Sequence, residues 1–515
     1  MDYDLLVVGG GINGAGIARD AAGRGLRVLV VEQDDLAAHT SSASTKLIHG
    51  GLRYLEYYEF SLVRKALQER EVLLRAAPHI IRPLRFVMPH MPNLRPAWMI
   101  RAGLFLYDHL SRRELLPASR GIDMRRHAAG QPLIDSIRRG FVYSDAWVDD
   151  ARLVVLNVLD AQEHGATILT RTKLVGAQRQ GASWQAQLQQ RDGSKLTVSA
   201  RAIANAAGPW VGSLLHDTLG STAPYNVRLV KGSHIITRKL FDHDHAYIFQ
   251  NPDKRIIFAI PYEHDYTLIG TTDLEFRGDA SKVQISDDEI AYLCESANRY
   301  FKQKIAPTDV VWTYSGVRPL LDEASDNPSA VSRDYHLELD AGADRAPLLS
   351  VFGGKITTFR KLAEEAVDLL AQPLTVAKRS STANLALPGG DIRNADFAAF
   401  LADFKTQHPW LPAALAQRYA RAYGTRAYRL IAGARNLSGL GAEVAPKLYE
   451  AELVYLRDNE WARSAEDILW RRSKLGLHVP KDAAVKIDAW LKVSRQGVPT
   501  VVDHDAKLMA HSAVS

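Results

Sequence analysis

Four consecutive apolar residues, Leu5-Leu6-Val7-Val8, give way at once to glycines. A run that is apolar at every position suits a strand buried on both faces, as in a parallel sheet. Gly9 to Gly14 then read as a turn, and Ala15 to Ala22 as a helix of small residues that can lie close to a sheet. Gly23 and Gly25 end that helix; Val28 to Val31 repeats the apolar run and stops at Glu32. The order is strand, turn, helix, strand, a βαβ unit.

The pattern then changes period several times. Residues 55–76 and Ala151 to Glu163 place apolar positions at helical spacing, as does Thr357 to Leu370. Trp184-x-Ala186-x-Leu188 alternates, Asp192-Gly193 turns, and Leu196-x-Val198 alternates back, which predicts a hairpin. The small-residue strand Ala202 to Gly208 is expected to return to the first sheet. Ser233–Thr237, Arg255–Ile260, Thr267–Gly270 and Leu348–Phe352 suit a second, antiparallel sheet. Residues 82–139 are rich in proline and arginine, with helical stretches. After Pro388-Gly389-Gly390 the chain reads as helices, so a domain boundary is placed near 388.

The chemistry follows from the first turn. Gly9-x-Gly11-x-x-Gly14 lies between a strand and a helix, and Glu32 ends the next strand. The first glycine permits the turn, the second lets backbone approach a pyrophosphate, and the third lets helix and strand pack. Glu32 can accept from ribose hydroxyls. This arrangement alone does not separate NAD from FAD. Thr40, Ser41, Ser42, Ser44, Thr45, Lys46, His49, Gly50 and Gly51 add hydroxyl donors and then small residues, which suits a long buried cofactor carrying an isoalloxazine ring.

Composition narrows the class. The chain has 515 residues, a net charge of +6 and one cysteine, so a reducing compartment fits and no cysteine-rich metal site exists. The small charge excess does not argue for nucleic acid. No targeting peptide is visible, and no apolar run reaches the ~18–20 residues of a membrane span. The charge is uneven. Residues 82–139 hold eleven Arg and no Lys against four acids, with Met88, Met91, Met99, Met124 and Trp98. That mixture suits a surface lying on anionic lipid.

Residues 9–16 (GGGINGAG), 41–60, 143–154 (YSDAWVDDARLV), 231–234 (KGSH), 269–273 (IGTTD), 312–320 (WTYSGVRPL), 350–364 and 449–477 resemble the FAD-dependent, respiratory glycerol-3-phosphate dehydrogenases along essentially the whole chain. The resemblance implies an α/β fold: a glutathione-reductase-type Rossmann FAD domain, an antiparallel-sheet substrate domain and a C-terminal helical domain. FAD segments would be about 1–80, 145–220 and 310–388, substrate segments about 81–144 and 221–309, and the helical cap 389–515. It also implies oxidation of sn-glycerol 3-phosphate to dihydroxyacetone phosphate, with electrons passed to membrane quinone. The expected place is the cytoplasm, peripheral to the inner face of the membrane, with a homodimer possible.

A phosphorylated substrate needs fixed cations, and guanidinium groups fork two hydrogen bonds to phosphate. Arg53, Arg318, Arg333 and Lys355 fall in the shared motifs; Tyr54 and Thr271 offer hydroxyls. The alcohol proton needs an acceptor, for which His234 is the first choice and His49 the alternative. Arg318 and Lys355 would stabilise the charge that develops on oxygen. Gly208 and Trp210 are expected at the FAD diphosphate region. Gly354, Lys355 and Thr357 are expected at the flavin pyrimidine side. With Gly9, Gly11, Asn13, Gly14 and Glu32 they complete the expected cofactor set. A flavin oxidase of amines or amino acids is the nearest rival; a flavin- or NAD-binding regulatory or nucleic-acid-binding protein is the more distant one.

Overall fold

A computed structural model describes residues 2–91, 95–221, 227–253, 255–321, 334–342 and 344–495. It divides into two compact units, Met1–Tyr428 and Arg429–Ser515. The opening apolar run forms β1 (Tyr3–Val8), followed by α1 (Ile12–Gly23) and β2 (Val28–Val31). Leu5, Leu6 and Val7 are fully buried because β1 has a parallel neighbour on each side: β2, and the strand Lys195–Asn205.

Around this pair the first sheet runs His336–Gly342, Arg345–Phe352, Lys195–Asn205, β1, β2, Thr167–Leu169. The hairpin Ser183–Gln190 with Lys195–Asn205 forms as the alternation predicts. Leu348–Phe352 does not join the second sheet as expected. Leu348, Leu349 and Ser350 pair parallel with Ile203, Ala204 and Asn205. The strand is apolar on both faces, the pattern of a buried parallel strand and not of a half-exposed antiparallel one.

The second sheet is mostly antiparallel. Val227–Arg238 pairs with Tyr266–Gly270 on one side and with Val310–Leu321 on the other. The segment 82–139, read as proline- and arginine-rich with helical stretches, opens on a long strand, Ile81–His90, antiparallel to Arg139–Val148 over its whole length. Pro83 and Pro89 hid it. They are tolerated because the other edge of this strand is paired only at Phe86 and Val87, in a parallel join to Ala246 and Tyr247. Met88 and Met124 are 3% and 2% exposed, so they belong to the core and not to a lipid-facing surface. Met99, on the helix Ala97–His109, is 44% exposed.

The helices expected from 389 onward begin within the first unit as Phe397–Gln407 and Ala413–Tyr423. The second unit has the helices Glu450–Asn459 and Ala483–Arg495, joined where Trp490 Nε1 donates to Glu450 Oε1 at 3.0 Å. Between them residues 465–472 are helical, wound as a wider π-helix over Asp467–Arg472. Among the described residues no helix is long and apolar enough to cross a membrane.

Candidate active site

The glycine turn lines a cavity of about 400 Å³. Gly9, Gly11, Asn13, Glu32, Thr40, Ser41, Gly208, Trp210 and Gly354 all face it, so most of the expected cofactor set converges. The turn can close only with glycine. Gly9 has φ +114°, and a Cβ on Gly14 would lie 2.0 Å from Gly9 O. Gly14 therefore packs behind the cavity, where it lets helix meet strand. Glu32 accepts the Gly10 N–H at 2.6 Å and the Asp34 N–H at 2.8 Å; burial pushes its carboxyl above the usual range. Ser41 Oγ accepts the Ile12 N–H at 2.9 Å, which ties the hydroxyl-rich loop to the start of α1. Asn13 Nδ2 donates to Gly353 O at 3.0 Å, while its buried Oδ1 has no hydrogen-bond partner. This cradle fits a dinucleotide: backbone close on one side, a carboxylate at the far strand end, and an orphan acceptor between.

The rest of the expected cofactor loop is held by protein. Lys46 and Asp150, 2% and 0% exposed, form an ion pair at 2.7 Å. Ser44 Oγ donates to Asp150 Oδ2 at 2.7 Å, and Lys46 Nζ also donates to Ser42 O at 3.0 Å. The polar groups of Ser44 and Lys46 thus serve to shape the loop. Ser42 Oγ donates to His39 O at 3.2 Å, and Thr357 Oγ1 accepts the His49 N–H at 3.2 Å. The Gly50 N–H goes to Tyr107 Oη at 2.8 Å.

Next to this loop the second sheet gathers the expected catalytic groups. His234 is 2% exposed; its Nε2 meets Thr45 Oγ1 at 2.9 Å and its ring stacks on Tyr314 at 4.7 Å. Its buried Nδ1 has no hydrogen-bond partner. Burial, helped by the charges of Lys46 and Arg318, lowers its pKa to about 3. A Cβ on Gly270 would lie 2.2 Å from the His234 ring, and one on Gly232 would lie 2.7 Å from Thr271 Oγ1 and 3.5 Å from Arg318 Nη2. His234, Thr271 and Arg318 therefore share one corner. Arg318 Nη2 also donates to Asp273 Oδ1 at 2.9 Å.

Tyr54 and Lys355 form a second pair, with the ammonium 3.8 Å above the ring centre. Gly353, two residues before Lys355, lies against Pro319 O, where a Cβ would be 3.6 Å away. Thr40 Oγ1 donates to Val317 O at 2.7 Å. Both contacts bring the cofactor cavity alongside Arg318. Arg53 is half-buried beside Tyr57, whose hydroxyl is 3.4 Å from its Nη2. Arg333 lies outside the described residues.

Sequence reasoning placed Thr45 in the cofactor loop and not against His234, and it missed Tyr314, Asp150, Asp273 and Glu289. Glu289 accepts from Lys231 at 2.7 Å, from Ser233 Oγ at 2.9 Å and from Thr272 Oγ1 at 2.7 Å, so it pins the neighbours of both His234 and Thr271. Asp145 and Asp150 stood within the motif at 143–154, and a carboxylate at a helix start was the available signal. Glu289 gave none, because its partners are ~15–60 residues away in sequence.

The FAD dependent oxidoreductase model matches residues 4–360, and the model for the C-terminal domain of alpha-glycerophosphate oxidase matches 380–494. The chain is 55% identical over 499 residues to a glycerol-3-phosphate dehydrogenase of Pseudomonas aeruginosa, covering 97% of each. It is 54% identical to a D-erythritol 1-phosphate dehydrogenase of Brucella abortus, covering 95% of this chain and 97% of that one. Its fold is similar to that of a glycerol-3-phosphate dehydrogenase of Bacillus halodurans complexed with FAD, with TM-score 0.75 and 26% identity over 96% of this chain and 94% of the other. By matched models, relatives and fold alike, the chain belongs to the family of FAD-dependent glycerol-3-phosphate dehydrogenases.

Proposed function

We propose that this enzyme oxidises sn-glycerol 3-phosphate at C2 to dihydroxyacetone phosphate and passes the electrons to a membrane quinone. The observation that carries this reading is the corner formed by His234, Thr271 and Arg318 beside the turn that bears Lys355. The glycine turn, Glu32, Ser41 and Gly354 would hold FAD, which would supply the acceptor for the C2 hydride at its N5. Arg53, Tyr54 and Lys355 bind the phosphate, with Arg333 proposed from sequence to join them. Arg318 and Lys355 stabilise charge on the C2 oxygen, and Thr271 orients its hydroxyl. His234 is neutral at working pH and takes the hydroxyl proton at Nδ1, the ring atom with no partner. Burial is the main cause of the low His234 pKa, and the substrate dianion offsets the smaller contribution of Lys46 and Arg318.

A side-by-side assay tests this. With a quinone analogue as acceptor, kcat/KM for glycerol 3-phosphate should exceed that for D-erythritol 1-phosphate by at least about tenfold, a difference of ~1.4 kcal/mol in transition-state binding. Glycine and sarcosine with oxygen should give nothing. A preference for the erythritol phosphate, or activity on amines alone, contradicts the reading.

The route to quinone is a lipid-facing patch. Tyr58, Trp98 and Phe105 are 80%, 71% and 58% exposed, and the last two lie on the helix Ala97–His109. Charge contributes less than composition suggested. Arg95 pairs with Glu56, Arg113 with Asp108 and Arg125 with Asp123. Apolar insertion therefore outweighs attraction to anionic lipid. Trp98→Asp with Phe105→Asp should abolish co-sedimentation with phosphatidylglycerol vesicles. Neutralising Arg112, Arg113, Arg125 and Arg126 should weaken it and reduce its salt sensitivity. Vesicle binding unchanged in both variants would remove this surface.

A further inference from the structure

The helix Ala97–His109 packs beside the turn Leu52–Tyr57 and bonds the loop before it through the Tyr107 hydroxyl. Phe105 is 58% exposed, whereas Tyr107, two residues on, is 2% exposed. Tyr107 Oη donates to Asp145 Oδ1 at 2.7 Å and accepts the Gly50 N–H at 2.8 Å. Asp145 is itself fixed by Arg70 Nη1 at 2.8 Å, and the same Arg70 nitrogen donates to Ser144 O at 2.9 Å. Burial, and then the Asp145 charge, push the Tyr107 phenol well above its usual range, so the proton stays on oxygen. Arg70 orients the carboxylate, the carboxylate orients the phenol proton, and a phenol lone pair is left for the amide. Without that hydroxyl, the acceptor remaining for the Gly50 N–H is Asp145 Oδ1 at 3.4 Å, a poor bond.

The approach is tight enough to explain the glycine. A Cβ on Gly50 would lie 2.6 Å from Tyr107 Oη and 2.6 Å from Leu67 Cδ2. Gly51 follows with φ +76°, and a Cβ there would lie 2.2 Å from the Tyr54 ring. The direction of the backbone at 50–51 therefore sets where Arg53 and Tyr54 sit.

We infer that Tyr107 is a positioning residue for substrate binding: acting through the Gly50 amide, it holds Arg53 and Tyr54 in register with the substrate phosphate. The inference rests on the reading that this loop binds glycerol 3-phosphate. Tyr107 touches no substrate in this scheme. Its effect is on affinity, because the reacting carbon is handled by His234 and Arg318, on other strands of the same sheet.

Tyr107→Phe keeps the ring and removes only the hydroxyl. Steady-state kinetics on FAD-loaded enzyme, normalised to flavin, should show KM for glycerol 3-phosphate raised about tenfold with kcat within about twofold. Arg53→Gln is measured beside it. If Arg53→Gln raises KM and Tyr107→Phe does not, the positioning role is wrong and the substrate reading stands. If Arg53→Gln also leaves KM unchanged, the loop does not bind the phosphate and both fall. A Tyr107→Phe enzyme that loses flavin or thermal stability while its loaded fraction keeps a normal KM assigns Tyr107 to structure alone and overturns the inference.

Discussion

Asp150→Ala should empty the enzyme of flavin and cost about 3–5 kcal/mol of stability, the range for removing one partner of a buried ion pair. Asp150 is 0% exposed, and its removal strands the Lys46 ammonium at 2% exposure. The same carboxylate holds Ser44 through both its hydroxyl and its amide, at 2.7 and 3.2 Å. Ser44 and Lys46 bracket Thr45, which is bonded to His234, and lie close to Ser41, which is bonded to the Ile12 amide. Loss of Asp150 thus loosens the glycine turn and His234 together. Flavin absorbance per protein and a urea melt check this. The double change Lys46→Met, Asp150→Leu should recover part of the stability, since no charge is then left buried. Wild-type flavin content and stability in Asp150→Ala would show that the pair is incidental.

His234→Ala should slow flavin reduction by about 10²–10⁴, the usual contribution of a positioned acid–base group. A loss smaller than tenfold would move the proton-accepting role elsewhere. The pH profile makes a separate statement. With the folded-state pKa lowered to about 3 by burial and by the charges of Lys46 and Arg318, the neutral ring persists through mildly acid pH. The His234 limb of kcat/KM should therefore lie well below 6.5, beneath the step at about 6 that the substrate phosphate itself contributes. The same depression makes the unfolded chain the first to take up a proton. Its contribution to stability is complete above about pH 6.5 and is lost as pH falls toward 3.

The parts of this molecule set by local pattern could be read from the sequence. β1, α1 and β2 follow from two apolar runs around glycines, and Glu32 from its place at a strand end. The corner of His234, Thr271 and Arg318 was accessible through motif resemblance, although nothing in their spacing brings them together. What escaped was set by partners distant in sequence. Pro83 and Pro89 argue against a strand until the half-open edge of Ile81–His90 is known. Leu348–Phe352 reads as a strand, yet its sheet is decided by Ile203 to Asn205. Met88 and Met124 look like lipid-facing residues within a basic segment, but the sheet turns both into the core. Tyr107 sits on an apolar helix, and its burial and its bonds to Gly50 and Asp145 separate it from the surface residues beside it.

The central claim is that this protein transfers the C2 hydride of glycerol 3-phosphate to its flavin. Anaerobic mixing of purified, FAD-loaded enzyme with excess glycerol 3-phosphate, followed by the visible absorbance, measures that step without any electron acceptor. The oxidised flavin band should bleach, with one dihydroxyacetone phosphate formed per flavin. A yellow colour that survives saturating glycerol 3-phosphate would contradict it.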